Sequence, residues 1–201
     1  MTSKHAVTRE PIAPLLGERW SPRAFDADKA VSVRQLTQLM EAARWAPSCY
    51  NEQPWRYVVC DRNQNDADWE KALSCLVEGN RSWAARAPIL MAAIANTQFT
   101  RNGKHNRWSE YDTGAASENL CLQATVMGLA AHQMGGFDPQ AVIDTFHLPE
   151  HCTPVAMIAV GYPGDPAVLA ESGRAAETKE RERRSVNEFA FLGDWNKPLL
   201  D

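Results

Sequence analysis

Apolar side chains recur at helical spacing over Val33, Leu36, Met40 and Ala43, and the pattern stops before Pro47. Ser32 and Gln35 stand at the spacing of a capping box. The pattern predicts a helix that opens at Ser32 and ends before Pro47. Residues 55–60, Trp-Arg-Tyr-Val-Val-Cys, then read as the first strand. Trp69, Leu73, Leu76 and Val77 predict a second helix after Asp66. Residues 89–95 form a nearly continuous apolar run of strand length, as expected in a sheet covered on both faces. Residues 96–111 are polar, basic and turn-rich and read as an exposed excursion. Over residues 112–130 a helix is expected, with Ala116, Leu120, Ala124 and Met127 on one stripe and Leu122, Val126 and Leu129 beyond it. A helix apolar most of the way round is buried, in the core or against a partner chain. Asp138-Pro139 caps another short helix. Residues 154–160 form the last long apolar strand, stopped by Gly161-Tyr162-Pro163-Gly164, and Ser185 with Glu188 caps a small final helix.

Helices thus alternate with few strands, which predicts an α+β sandwich over one domain, residues 1–201. A doubly wound dinucleotide fold wants a Gly-rich turn directly after its first strand, and Asp61-Arg62-Asn63 is not one. With 44% apolar residues in a chain of 201, a core can be filled. The charge balance, 21 basic against 25 acidic side chains, argues against a nucleic-acid partner, which needs a basic excess or stripe. The local basic runs at 101–107 and 179–184 read, on charge alone, as solvated faces. Five scattered cysteines have no metal spacing and suggest no disulfide framework, so reduced thiols in a cytoplasmic protein are expected. Met1-Thr2-Ser3-Lys4-His5 leads into no apolar stretch of signal length, and no run is long enough to span a bilayer. The over-apolar helix at 112–130 and a tail carrying Trp195, Leu199 and Leu200 both want a surface to cover, which points to a homodimer.

Most of the candidate chemistry lies in Pro47-Ser48-Cys49-Tyr50-Asn51-Glu52-Gln53-Pro54-Trp55. The two prolines restrict the backbone on either side. A serine and two side-chain amides are thereby held between a helix and a strand. Two readings stay open. Amides fixed at an element boundary suit a flat ligand with mixed donors and acceptors. They equally suit a polar turn that satisfies its own backbone. Ser48, Cys49 and His132 lack a recognisable partnered arrangement, so no protein nucleophile is implied.

Ala46-Pro47-Ser48-x-x-Asn51-x-Gln53-Pro54-Trp55 resembles the flavin-binding block of the nitroreductase family. Upstream, Arg19-Trp20-Ser21-Pro22-Arg23-Ala24-Phe25 resembles that family's opening motif, with Trp20 where many members carry a second arginine. Ala87-Pro88-Ile89-Leu90, Tyr111-Asp112-x-Gly114-Ala115-Ala116, Met134-Gly135-Gly136-Phe137 and Arg183-Arg184-Ser185 follow in family order. The resemblance covers nearly the whole chain. It implies a nitroreductase-like fold with a mostly antiparallel sheet flanked by helices. It implies an intertwined homodimer with composite sites, the C-terminal segment reaching over the partner. FMN is the implied cofactor and NAD(P)H the co-substrate. Arg19, Ser21 and Arg23, with Arg183 or Arg184, would hold the phosphate. Ser48, Asn51 and Gln53, braced by Pro47, would meet the ribityl chain and ring edge from the other subunit. Met134-Gly135-Gly136 would pass near the ring, where glycine allows close approach. The chemistry would sit at the flavin and no side chain would be catalytic. An electron-poor acceptor such as a nitroaromatic, quinone or enal would follow NAD(P)H into a pocket for which Trp45, Trp83, Phe99, Trp108 and Tyr111 are the lining candidates. A non-catalytic flavin-binding protein, or a flavin-fragmenting or dehalogenating relative, are the alternatives.

Overall fold

The computed structural model describes residues 4–200. Seven α-helices and four strands follow in the order α1 (Pro14–Glu18), α2 (Val33–Arg44), β1 (Trp55–Asp61), α3 (Asp66–Ser74), α4 (Glu78–Ala84), β2 (Ile89–Asn96), α5 (Ser109–Val126), β3 (Ala130–Met134), α6 (Pro139–Phe146), β4 (Cys152–Gly161) and α7 (Glu171–Thr178). The capping box of α2 forms: Ser32 Oγ accepts from the Gln35 N–H at 3.3 Å, and Gln35 Oε1 accepts from the Ser32 N–H at 3.0 Å. Asp138 caps α6 through the N–H groups of Gln140 and Ala141, with Pro139 in the first turn.

The strands form one antiparallel sheet in the order β1-β2-β4-β3. Strand β2 lies inside it and is buried from Ile89 to Ala95, which is why it is apolar at every position. Successive side chains point to opposite faces. Ile89, Met91 and Ala93 pack with Leu39 and Ala43 of α2 and with Ala116 and Leu120 of α5. Leu90, Ala92 and Ile94 pack with Trp69 and Leu73 of α3, Trp83 of α4 and Val142 of α6. Helices therefore cover both faces of the sheet, as the apolar run at 89–95 required.

Several expectations are corrected. The helix expected over 112–130 begins at Ser109 and stops at Val126, where Gly128 takes a left-handed φ of 68°. Residues Ala130–Met134 form β3, a strand beyond the three that the pattern predicts. The second helix ends at Ser74, so Leu76 and Val77 lie beyond it, and α4 starts directly after Val77. Helices α1 and α7 were not anticipated. The excursion after β2 is anchored, not wholly exposed: Phe99, Asn106 and Ser109 are all buried.

The segment carrying Arg19 to Phe25 runs past the end of β4. Phe25 bridges to Pro163, the Asp26 N–H donates to Tyr162 O at 2.9 Å, and the Gly164 N–H donates to Ala24 O at 2.8 Å. A Cβ on Gly164 would lie 2.6 Å from the Phe25 carbonyl carbon and 2.7 Å from its oxygen. Those atoms belong to hydrogen-bonded backbone and have little room to yield. Gly164→Ala is expected to cost about 1–3 kcal/mol, the usual range for forced overpacking. A urea midpoint equal to that of the unmodified chain would contradict this packing.

Candidate active site

Two groups of site residues are built separately. The first is a cleft of about 270 Å³ lined by Lys4, Arg19, Arg23, Lys179, Arg181 and Arg183, together with Trp20, Ser21 and Glu180. Six cationic side chains from the two ends of the chain meet there. Five of the six have side-chain contacts of their own. Arg19 pairs with Glu118 of α5 at 3.2 Å, with Ser21 Oγ 3.4 Å from its Nη1. Arg181 donates through Nη1 to Lys4 O at 2.8 Å and Gly17 O at 2.7 Å. Burial, and then the positive charges of Arg19 and Arg183, pull the Arg181 guanidinium below its ordinary pKa. Lys4 Nζ donates to Lys179 O and stands 5.2 Å from the Trp20 ring centroid. Trp20, which stands where the resemblance places a second arginine in many members, thus holds a cation at the cleft through its ring face. Crowded like charges with guanidinium donors favour a dianion such as a phosphate ester. Arg183 lines the cleft and Arg184 does not.

The backbone between Arg19 and Phe25 is fixed from beneath. His132 of β3 lies with its ring centroid 4.5 Å from that of Trp83, and its Nδ1 is 2.8 Å from Pro22 O. A carbonyl only accepts, so the proton of neutral His132 sits on Nδ1. Burial, with Arg23 and Arg19 nearby, lowers the His132 pKa to about 4. On the other side Glu177 accepts from the N–H groups of Arg23 and Ala24.

The second group is the turn between α2 and β1. Tyr50, Asn51 and Gln53 all have positive φ, at 54°, 57° and 52°. Non-glycine residues hold such angles only where their surroundings over-determine them. Here the buried carboxylate of Asp112 accepts from the Cys49 N–H at 3.0 Å, and Ser48 Oγ accepts from the Gln53 N–H at 3.0 Å. Gln53 Nε2 donates to Asn51 O at 2.9 Å. Ser48 and Gln53 therefore serve the turn itself, and the Asn51 amide is exposed, as is Pro47. The excursion docks on this turn: Glu52 accepts from the Thr100 N–H at 2.7 Å, and the Arg101 guanidinium stands 4.0 Å from the Tyr50 ring centroid.

Of the aromatic candidates, Trp45, Trp108 and Tyr111 are exposed, whereas Phe99 and Trp83 are buried, Trp83 within the core. Met134 is buried and Gly135 exposed. Gly136 is needed for packing within the chain, since a Cβ there would lie 2.5 Å from Asn80 Nδ2 and 2.9 Å from Val77 Cγ2. None of residues 47–53 or 134–136 lines the cationic cleft. Burial pushes the Cys60 thiol up to about 11 and the Cys121 thiol to about 12, which leaves neither as a thiolate nucleophile near neutrality. Among the described residues no His/Cys/Asp/Glu group could hold a metal ion, and no helix is long and apolar enough to cross a membrane.

The sequence pattern gives no role to Lys4, Lys179, Arg181 or Glu177, and it sets His132 aside for want of a recognisable partner. Lys179 and Arg181 lay within a basic run that reads as a solvated face. Nothing local marks Lys4, Glu177 or His132, whose partners are all distant in sequence.

Comparison with known proteins gives a consistent result. A model of the Nitroreductase family matches residues 16–162. A solved structure described as an oxidoreductase containing FMN is 30% identical, with a TM-score of 0.90 over 98% of this chain and 99% of that one. An NADH dehydrogenase from Thermus thermophilus is 30% identical over 160 residues, which are 65% of this chain and 76% of that protein. An oxygen-insensitive NADPH nitroreductase from Helicobacter pylori is 24% identical over 211 aligned positions, covering 88% of this chain and 94% of that protein.

A neutral, half-buried histidine has a consequence for stability. The folded state holds His132 at a pKa near 4, below the unfolded value of about 6.5. The unfolded chain therefore binds the extra proton first. The associated stability is fully present above pH 6.5 and is lost as pH falls toward 4, by of order 3 kcal/mol. In urea titrations at pH 7 and pH 5, His132→Gln is expected to lose less stability on acidification than the unmodified chain. Identical pH dependence in the two proteins would contradict the assignment.

Proposed function

Since the chain belongs to the nitroreductase family, we propose that it is an FMN-dependent oxidoreductase that passes reducing equivalents from NAD(P)H to an electron-poor acceptor such as a nitroaromatic, quinone or enal. The observation that carries this is the cleft in which Arg19, Ser21, Arg23 and Arg183 come together from opposite ends of the chain. A flavin mononucleotide ends in a phosphate monoester, and that donor set suits it. FMN, when bound, supplies the hydride chemistry. The chain's residues bind and orient. Arg23 lines the cleft with Ser21 and takes no part in the ion pairs of Arg19 and Lys179, and it is the leading phosphate ligand. Asn51, exposed on a turn locked by Asp112 and Ser48, offers an amide to a ring edge or ribityl hydroxyl. Relatives named for NADH and for NADPH leave the nicotinamide donor written as NAD(P)H.

The acting unit is a homodimer with composite sites. Three observations support it. The Asn51 turn lines no part of the cationic cleft, as expected where a site that uses both draws them from two chains. Strand β1 is an edge strand, and a groove of about 500 Å³ beside it has Val33, Leu36, Met40 and Val59 on one part of its wall and the polar Thr37, Asp61, Gln64, Asn65 and Asp68 on the rest. The C-terminal segment exposes Phe189 at 66%, Leu192 at 55%, Trp195 at 81% and Leu199 at 47%, more apolar surface than a free tail keeps in water. Five free thiols accord with a reducing compartment, and the cytoplasm is the proposed location.

The purified protein is expected to be yellow, to release FMN on denaturation, and to bleach under NADH or NADPH without air. A colourless protein that takes up no added FMN would sink the proposal. Arg23→Ala removes a phosphate partner and is expected to weaken FMN binding well over tenfold, from about 2–5 kcal/mol for a lost charged contact. Arg101→Ala, in the excursion, is expected to leave FMN affinity nearly unchanged. Equal small effects from both would place the phosphate elsewhere. Sedimentation at low micromolar concentration is expected to show a dimer, and a folded FMN-loaded monomer would refute the composite site.

A further inference from the structure

The one buried side chain of helix α7 is a carboxylate. Of its eight residues only Glu177 is buried, at 3% exposed. Ala175 and Ala176 are exposed, and half-buried Gly173 rests on Leu169 of the preceding turn. No apolar stripe docks this helix. A buried carboxylate must find donors, and Glu177 finds peptide groups. Its Oε1 accepts from the Arg23 N–H and the Ala24 N–H, each at 3.0 Å, and its Oε2 accepts from the Arg23 N–H at 3.1 Å. The charge is thus spent on the backbone that carries Arg23. That backbone is gripped on its other side as well, where His132 meets Pro22 O. Two residues beyond Glu177 the chain begins to deliver Lys179, Arg181 and Arg183 to the same cleft.

We propose that Glu177 is a positioning residue of the phosphate site: by bonding the peptide N–H groups of Arg23 and Ala24 it sets Arg23 in place and holds the 179–183 cations against it. The inference rests on the cleft being the flavin phosphate site. It confines the effect of Glu177 to the phosphate end of the ligand. The ring and ribityl contacts come from the Asn51 turn, which Glu177 does not touch.

FMN and riboflavin differ only in that phosphate, so the ratio of their affinities isolates the effect. Fluorescence titration of the flavin-free dimer with each ligand is the test. The unmodified protein is expected to favour FMN. Glu177→Ala is expected to weaken FMN binding by at least about tenfold, the scale of a lost charge-assisted contact, and to leave riboflavin affinity within about twofold. Glu177→Gln keeps one acceptor oxygen for Arg23 and Ala24 and is expected to fall between. Glu171→Gln, exposed on the same helix, is expected to change neither. If Glu177→Ala does not fold, the ratio measured on Glu177→Gln decides. Equal losses for FMN and riboflavin would show a general structural role and overturn the proposal. Retention of the full FMN preference in the Glu177 variants would overturn it while leaving the functional reading intact. An unmodified protein that binds neither flavin would overturn both.

Discussion

Like charges repel, and this chain gathers six cationic side chains around one cleft. The surrounding contacts are arranged to hold that crowding in place. Arg19 leans on Glu118 and Arg181 on two carbonyls, while Lys179 pairs with Glu182 at 3.3 Å. The group directly beneath, His132, is kept neutral by burial and by the same positive field. A protonated imidazole there would add a half-buried cation under Arg23. Its neutral form donates to Pro22 O and so fixes the segment that presents the arginine. The electrostatics of the cleft and the geometry of its backbone are one problem with one solution.

The sheet makes that solution possible by placing its parts. Strand β3 sets His132 beneath Pro22, β4 ends in the turn that Phe25 and Gly164 lock, and α5 sets both Glu118 and Asp112. Asp112 and Glu118, both on α5, serve different groups, the first holding the strained turn of Asn51 and the second Arg19. Rigid elements thus orient both halves of the proposed site, while the residues that would meet ligand stand on the segments between them.

Legibility in the sequence followed the range of the interactions. The α2 helix and its cap were readable because Ser32 and Gln35 are neighbours that bond each other. Strand β2 was readable because burial on both faces leaves no polar position. Strand β3 was not: Ala-Ala-His-Gln-Met has no β-branched residue, and it follows an apolar helix whose end is marked only by Gly128. Helix α4 is short and contains Gly79 and Asn80, and is held by contacts to Gly136 far along the chain. Of the site, the resemblance pointed to Arg19, Ser21 and Arg23 with Arg183 or Arg184, and the cleft gathers the first three with Arg183 but not Arg184. Ser48 and Gln53 turn inward on their own backbone, a reading that the polar turn had left open. Lys4, Glu177 and His132 act across the fold, and no local pattern announces them.

A composite site makes one demand that no single-chain site meets. Dimers are formed between a chain carrying Arg23→Ala and a chain carrying Asn51→Asp, a change that keeps the left-handed preference and replaces the amide with a charge. Each chain paired with itself is expected to bind FMN poorly. In the mixed dimer one site combines both lesions and the other has none, so flavin titration is expected to show one tight FMN per dimer. Mixed dimers with no tight site would contradict the account, because they would place Arg23 and Asn51 of the same chain at the same flavin.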